Sequence, residues 1–505
     1  MNSNPKICFY LQRNYAYTGH LLALWLQEKY GLKNFCAYVG LRRIYTFLST
    51  QKEINYGDMV LDEDVYARYH NEALDLPYLK KLEKEFGIPN LWPYLTVDRT
   101  IMFNQAAREY PYNTPVLSHE EMLRILQVAA KAVIAFLDKE KPDAIVFSSI
   151  GAVSSLLMYH IAKKRGIKIL HILTTPLKDR FAVSETFDTF TGADALFKHP
   201  ASGEARKEYV EEAKKIIEDF RLSPHPYNEY SSPKRQQVSR TKQFRFLLPA
   251  RALHSISCFV ELVVEYSKHR GDYTVLSPWN FLKDRTKRKL RNLYGVSDLY
   301  DTFDPRLPYA FFALHFEPEQ SLLLLAPFAQ DQIHLIKQAA KSLPVGYSLY
   351  VKEHPEMVAY RPRSYYKELR KIPNVKLISP AIEGLTVIAG AKLIFTVTGS
   401  AGWEGLLLKK PVIVFGNQFY NNLSMVKKCR DLETLPYLVK EQLEGFHYDE
   451  KELISFTAAI LEDSASLPFI HIWEHETDEV KKKQGLEPLA DLIAKKSGLA
   501  QDKQL

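Results

Sequence analysis

Cysteine is scarce in this chain of 505 residues: Cys8, Cys36, Cys258 and Cys429 stand far apart and form no Cys-x-x-Cys pair. That argues against a disulfide framework and against a thiolate zinc site, and it fits a reducing cytoplasm. Long apolar runs are missing too. No stretch reaches the ~20 residues of a membrane span. The nearest, Phe244 to Tyr266, is interrupted by Pro249, Arg251, His254 and Glu261. The opening MNSNPKICFYLQRNY lacks the basic-then-apolar order of a secretory leader and enters a strand almost at once, so a cytoplasmic location is expected. No convincing short repeat is present. The string Asp62-Glu63-Asp64 has the Asp-x-Asp form that binds a metal in some transferases. It lies in a polar, helical stretch with no hydrophobic strand leading into it, so a solvated face is expected there and no metal.

What is present is the balance of a soluble globular protein, with 46% hydrophobic and 25% charged residues. The length is too great for one ordinary core, so two or three domains are expected. The 30 Tyr and 27 Phe suit large cores and stacking surfaces. A net charge of +8 favours anionic partners such as nucleotide sugars, phospholipid head groups or acidic glycans, and is too diffuse to argue for nucleic acid. The segment Lys283 to Arg291, KDRTKRKLR, carries six basic residues and one acid. It is most simply an exposed helix face. A peripheral contact with an anionic inner-membrane surface, or with an acidic glycan, is the alternative, and the absence of interleaved aromatics weakens a nucleic-acid reading.

Strand-like and helix-like segments alternate twice along the chain. KICFY, NFCAYVG, PDAIVFSS and IKILHIL read as strands of a first Rossmann-like half, while residues 41–140 read as mostly helical. Residues 222–243 are rich in Pro, Ser and charge and read as a linker. From 309 onward FFALHF, SLYVKE, VKLIS, LIFTV and PVIVF read as parallel strands with helices between them, and the last part of the chain reads as helical and charged. The expected class is α/β, with two doubly wound, Rossmann-like domains. Residues 1–225 would form an N-terminal acceptor domain, 226–300 a basic helical linker region, 301–440 a nucleotide-sugar domain, and 441–505 a helical C-terminal segment.

Four short stretches carry chemistry. In Thr398-Gly399-Ser400-Ala401-Gly402 a glycine turn joins a buried strand to a helix, read as Trp403 to Lys410. Such a turn leaves backbone N–H groups aimed outward, with the helix dipole behind them, which suits a phosphate. Glu404 follows in the first turn, where its carboxylate can accept from a ribose diol. The bland alternative is a structural turn with a helix-start charge. In Tyr350-Val351-Lys352-Glu353-His354-Pro355 the alternation puts Tyr350, Lys352 and His354 on one face, and strand ends line the ligand crevice of an open α/β sheet. Taken alone, an incidental His at a solvated strand end is the better reading. His315, Glu317 and Glu319 follow another strand and suit acid–base or acceptor-binding work, against a plain polar loop. Asp179, Arg180 and Glu185 lie in KDRFAVSE, after IKILHIL, where Arg180 and Glu185 would face a cleft if the crevice rule holds; ordinary loop charges explain them at least as well.

The combined string VKEHPE, LISP and FTVTGSAGWEGLLLKKPVIVFGNQFY, with ALHFEPE upstream, resembles the C-terminal half of capsule and surface polysaccharide biosynthesis proteins, which include Kdo transferases. DRFAVSE resembles a segment of their N-terminal half. The resemblance covers residues 305–430 well and 140–195 weakly. It implies a GT-B glycosyltransferase with two Rossmann-like domains facing a cleft. Lys352 and His354 would contact donor phosphate, Ser400 with its neighbouring backbone would hold the same phosphate, and Glu404 would hold the ribose. No metal or cofactor is implied beyond the nucleotide-sugar donor, CMP-Kdo or another, and the acceptor would be a glycan or a lipid-linked glycan. Glu317, Glu319 and Asp179 are the candidates for a catalytic carboxylate. A UDP-sugar 2-epimerase, a CDP-polyol phosphotransferase and a non-catalytic glycan-binding protein stay open as alternatives.

Overall fold

The computed structural model describes residues 5–12, 15–103, 115, 117–200, 204–226, 242–268 and 277–498. In chain order the strands are β1 (Lys6–Leu11), β2 (Asn34–Val39), β3 (Tyr56–Leu61), β4 (Ala144–Phe147), β5 (Lys168–Thr174), β6 (Arg180–Ser184), β7 (Tyr309–Ala313), β8 (Ser348–Lys352), β9 (Val375–Ile378), β10 (Leu393–Thr396), β11 (Val412–Val414), β12 (Val426–Lys428) and β13 (Ser464–Ser466). They form two sheets among the described residues, one of order β13-β6-β5-β4-β1-β2-β3 and one of order β12-β11-β10-β7-β8-β9. The expected α/β class with two doubly wound sheets is therefore what the chain adopts.

The second sheet is parallel at every pairing. Its strands are short apolar runs because both faces are covered by helices. Leu393, Phe395, Phe312, Val351, Leu377 and Ile413 pack into one core cluster with the helix Gln332–Ser342, through Leu335, Ile336 and Ala339. Strand order reverses between β7 and β10, the place where an open α/β sheet parts to admit a ligand. The helix after β10 runs Ser400–Leu407, three residues earlier than the sequence reading, because Gly399 takes the cap position.

The first sheet pairs β1 with β2 and β4, β2 with β3, and β4 with β5 in parallel, while β6 and β13 run antiparallel at one edge. Three of its strands escape the sequence reading. β3 is a sheet-edge strand, YGDMVL, whose Gly and Asp mask the pattern inside residues taken as helical. β6 is the segment read as a motif loop. β13 is only three residues long.

Cα packing divides the chain into two units, residues 1–98, 117–213 and 454–505 in one, and 99–116 and 214–453 in the other. The C-terminal residues thus belong to the first unit rather than standing apart. Ala465 pairs with Phe181, and Leu489, Ala490 and Ile493 of the helix Glu487–Ser497 enter the core that holds Ile7, Phe9 and Leu22. Residues 222–226 and 242–243 of the expected linker are described; the stretch between them lies outside the described residues.

Candidate functional site

The glycine turn, the VKEHP strand end and the segment after β7 converge at the carboxyl edge of the second sheet. β7, β8 and β10 are adjacent parallel strands, so their C-terminal ends emerge together. His315 is buried beyond β7, and its Nε2 accepts from the Thr398 N–H at 2.9 Å with the Thr396 hydroxyl 3.3 Å away. An accepting Nε2 fixes the neutral tautomer that carries its proton on Nδ1. Burial pulls the ring down to about 3, with the charges of His354 and Arg361 acting in the same direction.

Glycine is required at 399. A Cβ there would lie 2.7 Å from the Thr396 hydroxyl and 3.0 Å from His315 Nε2. The Thr396 hydroxyl also accepts from the Gly399 N–H at 2.9 Å. Tyr420 closes the other side: its hydroxyl donates to the Gly399 carbonyl at 2.8 Å, and a Cβ on Gly402 would sit 2.3 Å from it. Gln418 donates to the Thr398 carbonyl at 2.5 Å. The turn's carbonyls are thus tied back and the Gly402 N–H reaches the Gly399 carbonyl at 3.4 Å, while the amides of Ser400 and Ala401 at the start of the helix Ser400–Leu407 have no partner within a helix and are left for an anion.

Lys352 and Glu404 are both buried at this edge. Burial holds the Lys352 ammonium below its usual range, against the opposing pull of Glu353 and Glu404. Burial pushes Glu404 up to about 7, with the Ser400 hydrogen bond and the Lys352 charge acting the other way. His354 is half-buried, lowered by burial, and stands edge-on to Phe316 with ring centroids 6.2 Å apart. Its Nδ1 accepts from the Glu356 N–H at 3.3 Å. Near neutral pH it is therefore an imidazole rather than a second cation. A desolvated ammonium, a neutral imidazole, helix-start amides and a carboxyl poised near neutrality form a pocket edge suited to a phosphate joined to a polyol.

Beneath these groups lies a polar scaffold that the sequence did not disclose. Arg361 is fully buried and makes an ion pair with Glu353; its Nη2 donates to the His315 carbonyl at 2.6 Å and lies 3.0 Å from Glu317. The second Glu353 oxygen accepts from Tyr366 at 2.8 Å. The Gln332 side chain accepts from the His315 N–H at 2.7 Å and donates to Glu317. This network sets the course of the backbone after β7 and β8. A cavity of about 490 Å³ shares Arg361 and Tyr366 with it and is otherwise lined by residues such as Leu290, Tyr294 and Tyr300; it includes none of Lys352, His354, Ser400 and Glu404.

The remaining candidates lie elsewhere. Glu319 stands at the head of the helix Gln320–Leu325. Asp179 occupies a left-handed turn (φ 54) between β5 and β6, in the first unit. Arg180 lies on β6 and pairs with Glu212 at 3.1 Å, and Glu185 is exposed just beyond that strand.

One expectation is overturned. β3 leads directly into Asp62, which is buried rather than solvated. Its carboxyl accepts from the Ser154 hydroxyl at 2.6 Å and from Tyr10 at 3.4 Å, and burial pushes it up to about 7. Only Asp64 of the string is largely exposed, paired with Arg42. A signal was available in the sequence: the apolar pair Val60-Leu61 immediately before the acids. Among the described residues no three His, Cys, Asp or Glu side chains gather as a metal cluster, and no helix is long and apolar enough to cross a membrane.

Residues 309–428 match the model of a family described as capsule polysaccharide biosynthesis protein. The match runs from β7 to β12 and contains Lys352, His354, Ser400 and Glu404, so the resemblance read from the sequence holds over this segment. No curated protein matches the chain. Among solved structures, it is similar to the beta Kdo 2,7 transferase KpsC of Thermosulfurimonas dismutans at 11% identity, covering 67% of this chain and 82% of that one with a TM-score of 0.36. The beta Kdo 2,4 transferase KpsC of the same organism aligns at 15% identity, over 65% and 82% of the two chains, with a TM-score of 0.36. The UDP-GlcNAc 2-epimerase of Methanocaldococcus jannaschii, in complex with UDP-GlcNAc and UDP, aligns at 12% identity over 90% and 99%, with a TM-score of 0.28.

Proposed function

We propose that the protein is a cytoplasmic glycosyltransferase of surface-polysaccharide assembly, moving a sugar from a nucleotide-activated donor such as CMP-Kdo to a glycan or lipid-linked acceptor. The observation that carries this reading is the meeting of Lys352, His354, Ser400 and Glu404 at the strand-order reversal of a parallel sheet, inside the segment that matches the capsule family.

In this reading Lys352 and the amides of Ser400 and Ala401 take the donor phosphate, while Thr398, Gly399 and Gly402, whose own amides are paired inside the turn, give it its shape. His354 donates a hydrogen bond to the same phosphate. Charge builds on that phosphate as the glycosidic bond breaks, and groups already desolvated and fixed stabilise it without reorganising. Glu404 accepts from the ribose hydroxyls in its ionised form. These groups supply the positive field, so no bound metal is assigned to the step. The acceptor hydroxyl loses its proton to a carboxylate as its oxygen attacks the anomeric carbon. Glu317 is assigned a positioning part through Arg361, and Glu319 and Asp179 stand as the candidates for that carboxylate.

Isothermal titration with CMP, UDP and GDP tests the donor site. One nucleotide is expected to bind, and His354→Ala is expected to abolish transfer while the fold, followed by circular dichroism, is kept. Near-normal turnover in that variant would overturn the assignment. Incubation with donor alone and then with donor plus acceptor separates a transferase from an epimerase, which needs no acceptor.

A further inference from the structure

The helix Pro249–Lys268 carries an apolar stripe that nothing among the described residues covers. Leu253, Ile256 and Val260 are 71%, 59% and 53% exposed, and Val263 and Val264 are exposed beside them. On a 3.6-residue period these five fall on one face about 100° wide, while the half-buried Ala252, Phe259, Leu262 and Tyr266 fall on the adjoining face. The stripe is therefore not a core face turned outward by accident; the helix has a packed face and a separate, unpacked apolar one. Just before it Phe244, Phe246 and Leu248 are exposed, and Trp279, at 74%, opens the neighbouring helix Pro278–Tyr294. Monomers seldom leave so many large apolar side chains together in water.

The neighbouring helix supplies charge of one sign. Arg288 and Lys289 lie over the rings of Tyr360 and Phe246, and Arg291 donates to the Tyr360 carbonyl, so these three are engaged in holding the helix Pro278–Tyr294. Lys283 and Lys287 are exposed on one face, Arg285 lies over the Phe281 ring, and the acid among them, Asp284, is buried. Apolar side chains with an aromatic at the boundary, next to exposed cations, are the makings of a segment that lies in the head-group layer of a membrane.

We propose that the helix Pro249–Lys268 docks on an anionic lipid bilayer, with Leu253, Ile256 and Val260 entering the acyl boundary and Lys283 and Lys287 drawn to the head groups. A second copy of the chain is the rival occupant. The stripe has the 3-4 spacing of a coiled-coil seam but lasts only about three turns, short of the three to four heptads such a seam needs, and the neighbouring cations would repel their counterparts. The proposal stands independently of the donor-site reading, because nucleotide titration and lipid binding are read separately.

The test is flotation of the full chain with vesicles of phosphatidylcholine, with and without phosphatidylglycerol. Binding is expected only with the anionic lipid and is expected to fall as salt rises. The variant L253E/I256E/V260E, altered on an exposed face, is expected to lose binding at all salt concentrations while keeping the wild-type melting curve. K283E and K287E are each expected to weaken it about fivefold or more. Failure of the wild type to float at low salt would overturn the proposal. So would undiminished flotation of the triple variant, or a dimer in sedimentation that the triple variant dissolves without any effect on lipid.

Discussion

His315, beyond the end of β7, accepts a hydrogen bond from the Thr398 N–H, beyond the end of β10, at 2.9 Å. One neutral imidazole thereby fastens together the two strands between which the sheet reverses its order, and it fixes the start of the glycine turn.

Removing that acceptor leaves a buried amide unpaired. His315→Ala is expected to lower stability by about 1–3 kcal/mol and nucleotide affinity by roughly tenfold or more, while His315→Gln, which can present an acceptor near the Nε2 position, is expected to restore much of both. Urea unfolding and calorimetric titration measure the two effects. Wild-type affinity in the alanine variant would show that the turn holds its shape without the histidine.

Glu404 gives a pH signature. Its folded value, about 7, lies above the ordinary 4.5, so its contribution to stability is fully present below about 4.5 and is lost as pH rises through 7. The loss is on the order of 3 kcal/mol at most. Asp62, also pushed up to about 7, titrates in the same window. These two carboxyls draw stability down between about pH 4 and 7, against the gain that the buried neutral His315 contributes as pH rises towards 6.5. In urea melts the stability of Glu404→Gln relative to wild type is therefore expected to rise across that window, and to rise further when Asp62→Asn is added. Nucleotide affinity is expected to move the other way, rising as the carboxylate forms and flat in Glu404→Gln.

Arg361 and Glu353 are a buried pair whose value lies in what it positions. Arg361→Met is expected to cost about 3–5 kcal/mol, because it strands the Glu353 carboxylate. Adding Glu353→Leu should recover part of the stability and none of the donor affinity, since the His315 carbonyl and Glu317 still lose their partner. Chemical denaturation and titration of the two variants decide it. Full recovery of affinity in the double variant would reduce the network to a stability device.

In the second sheet β7, β8 and β10 were legible because each is a short apolar run ending near an unusual residue, His315, His354 or Gly399, whereas β12, three residues long, was not read. That pattern follows from burial on both faces and a ligand-side terminus, both of which act on local sequence. Arg361 and Gln332 were not legible. Their importance comes from partners 8 to 46 residues away, and nothing in their own neighbourhood marks them as buried. Asp62 was misread because β3 is broken by Gly57 and Asp58 on the open edge of the sheet, where an irregular pattern is tolerated. β13 was missed because three residues of Ser-Ala-Ser carry no periodicity; the partner strand, not the sequence, makes it a strand.

That last strand also orders the making of the protein. During synthesis Ser464–Ser466 leaves the ribosome after every strand of the second sheet, yet it completes the edge begun by Arg180–Ser184. Until then the nascent chain carries an open β-edge, the kind of surface that pairs with the wrong neighbour. The later sheet can be finished while the earlier one waits for its final piece, so a stalled or shortened translation product would expose the half of the molecule that was made first.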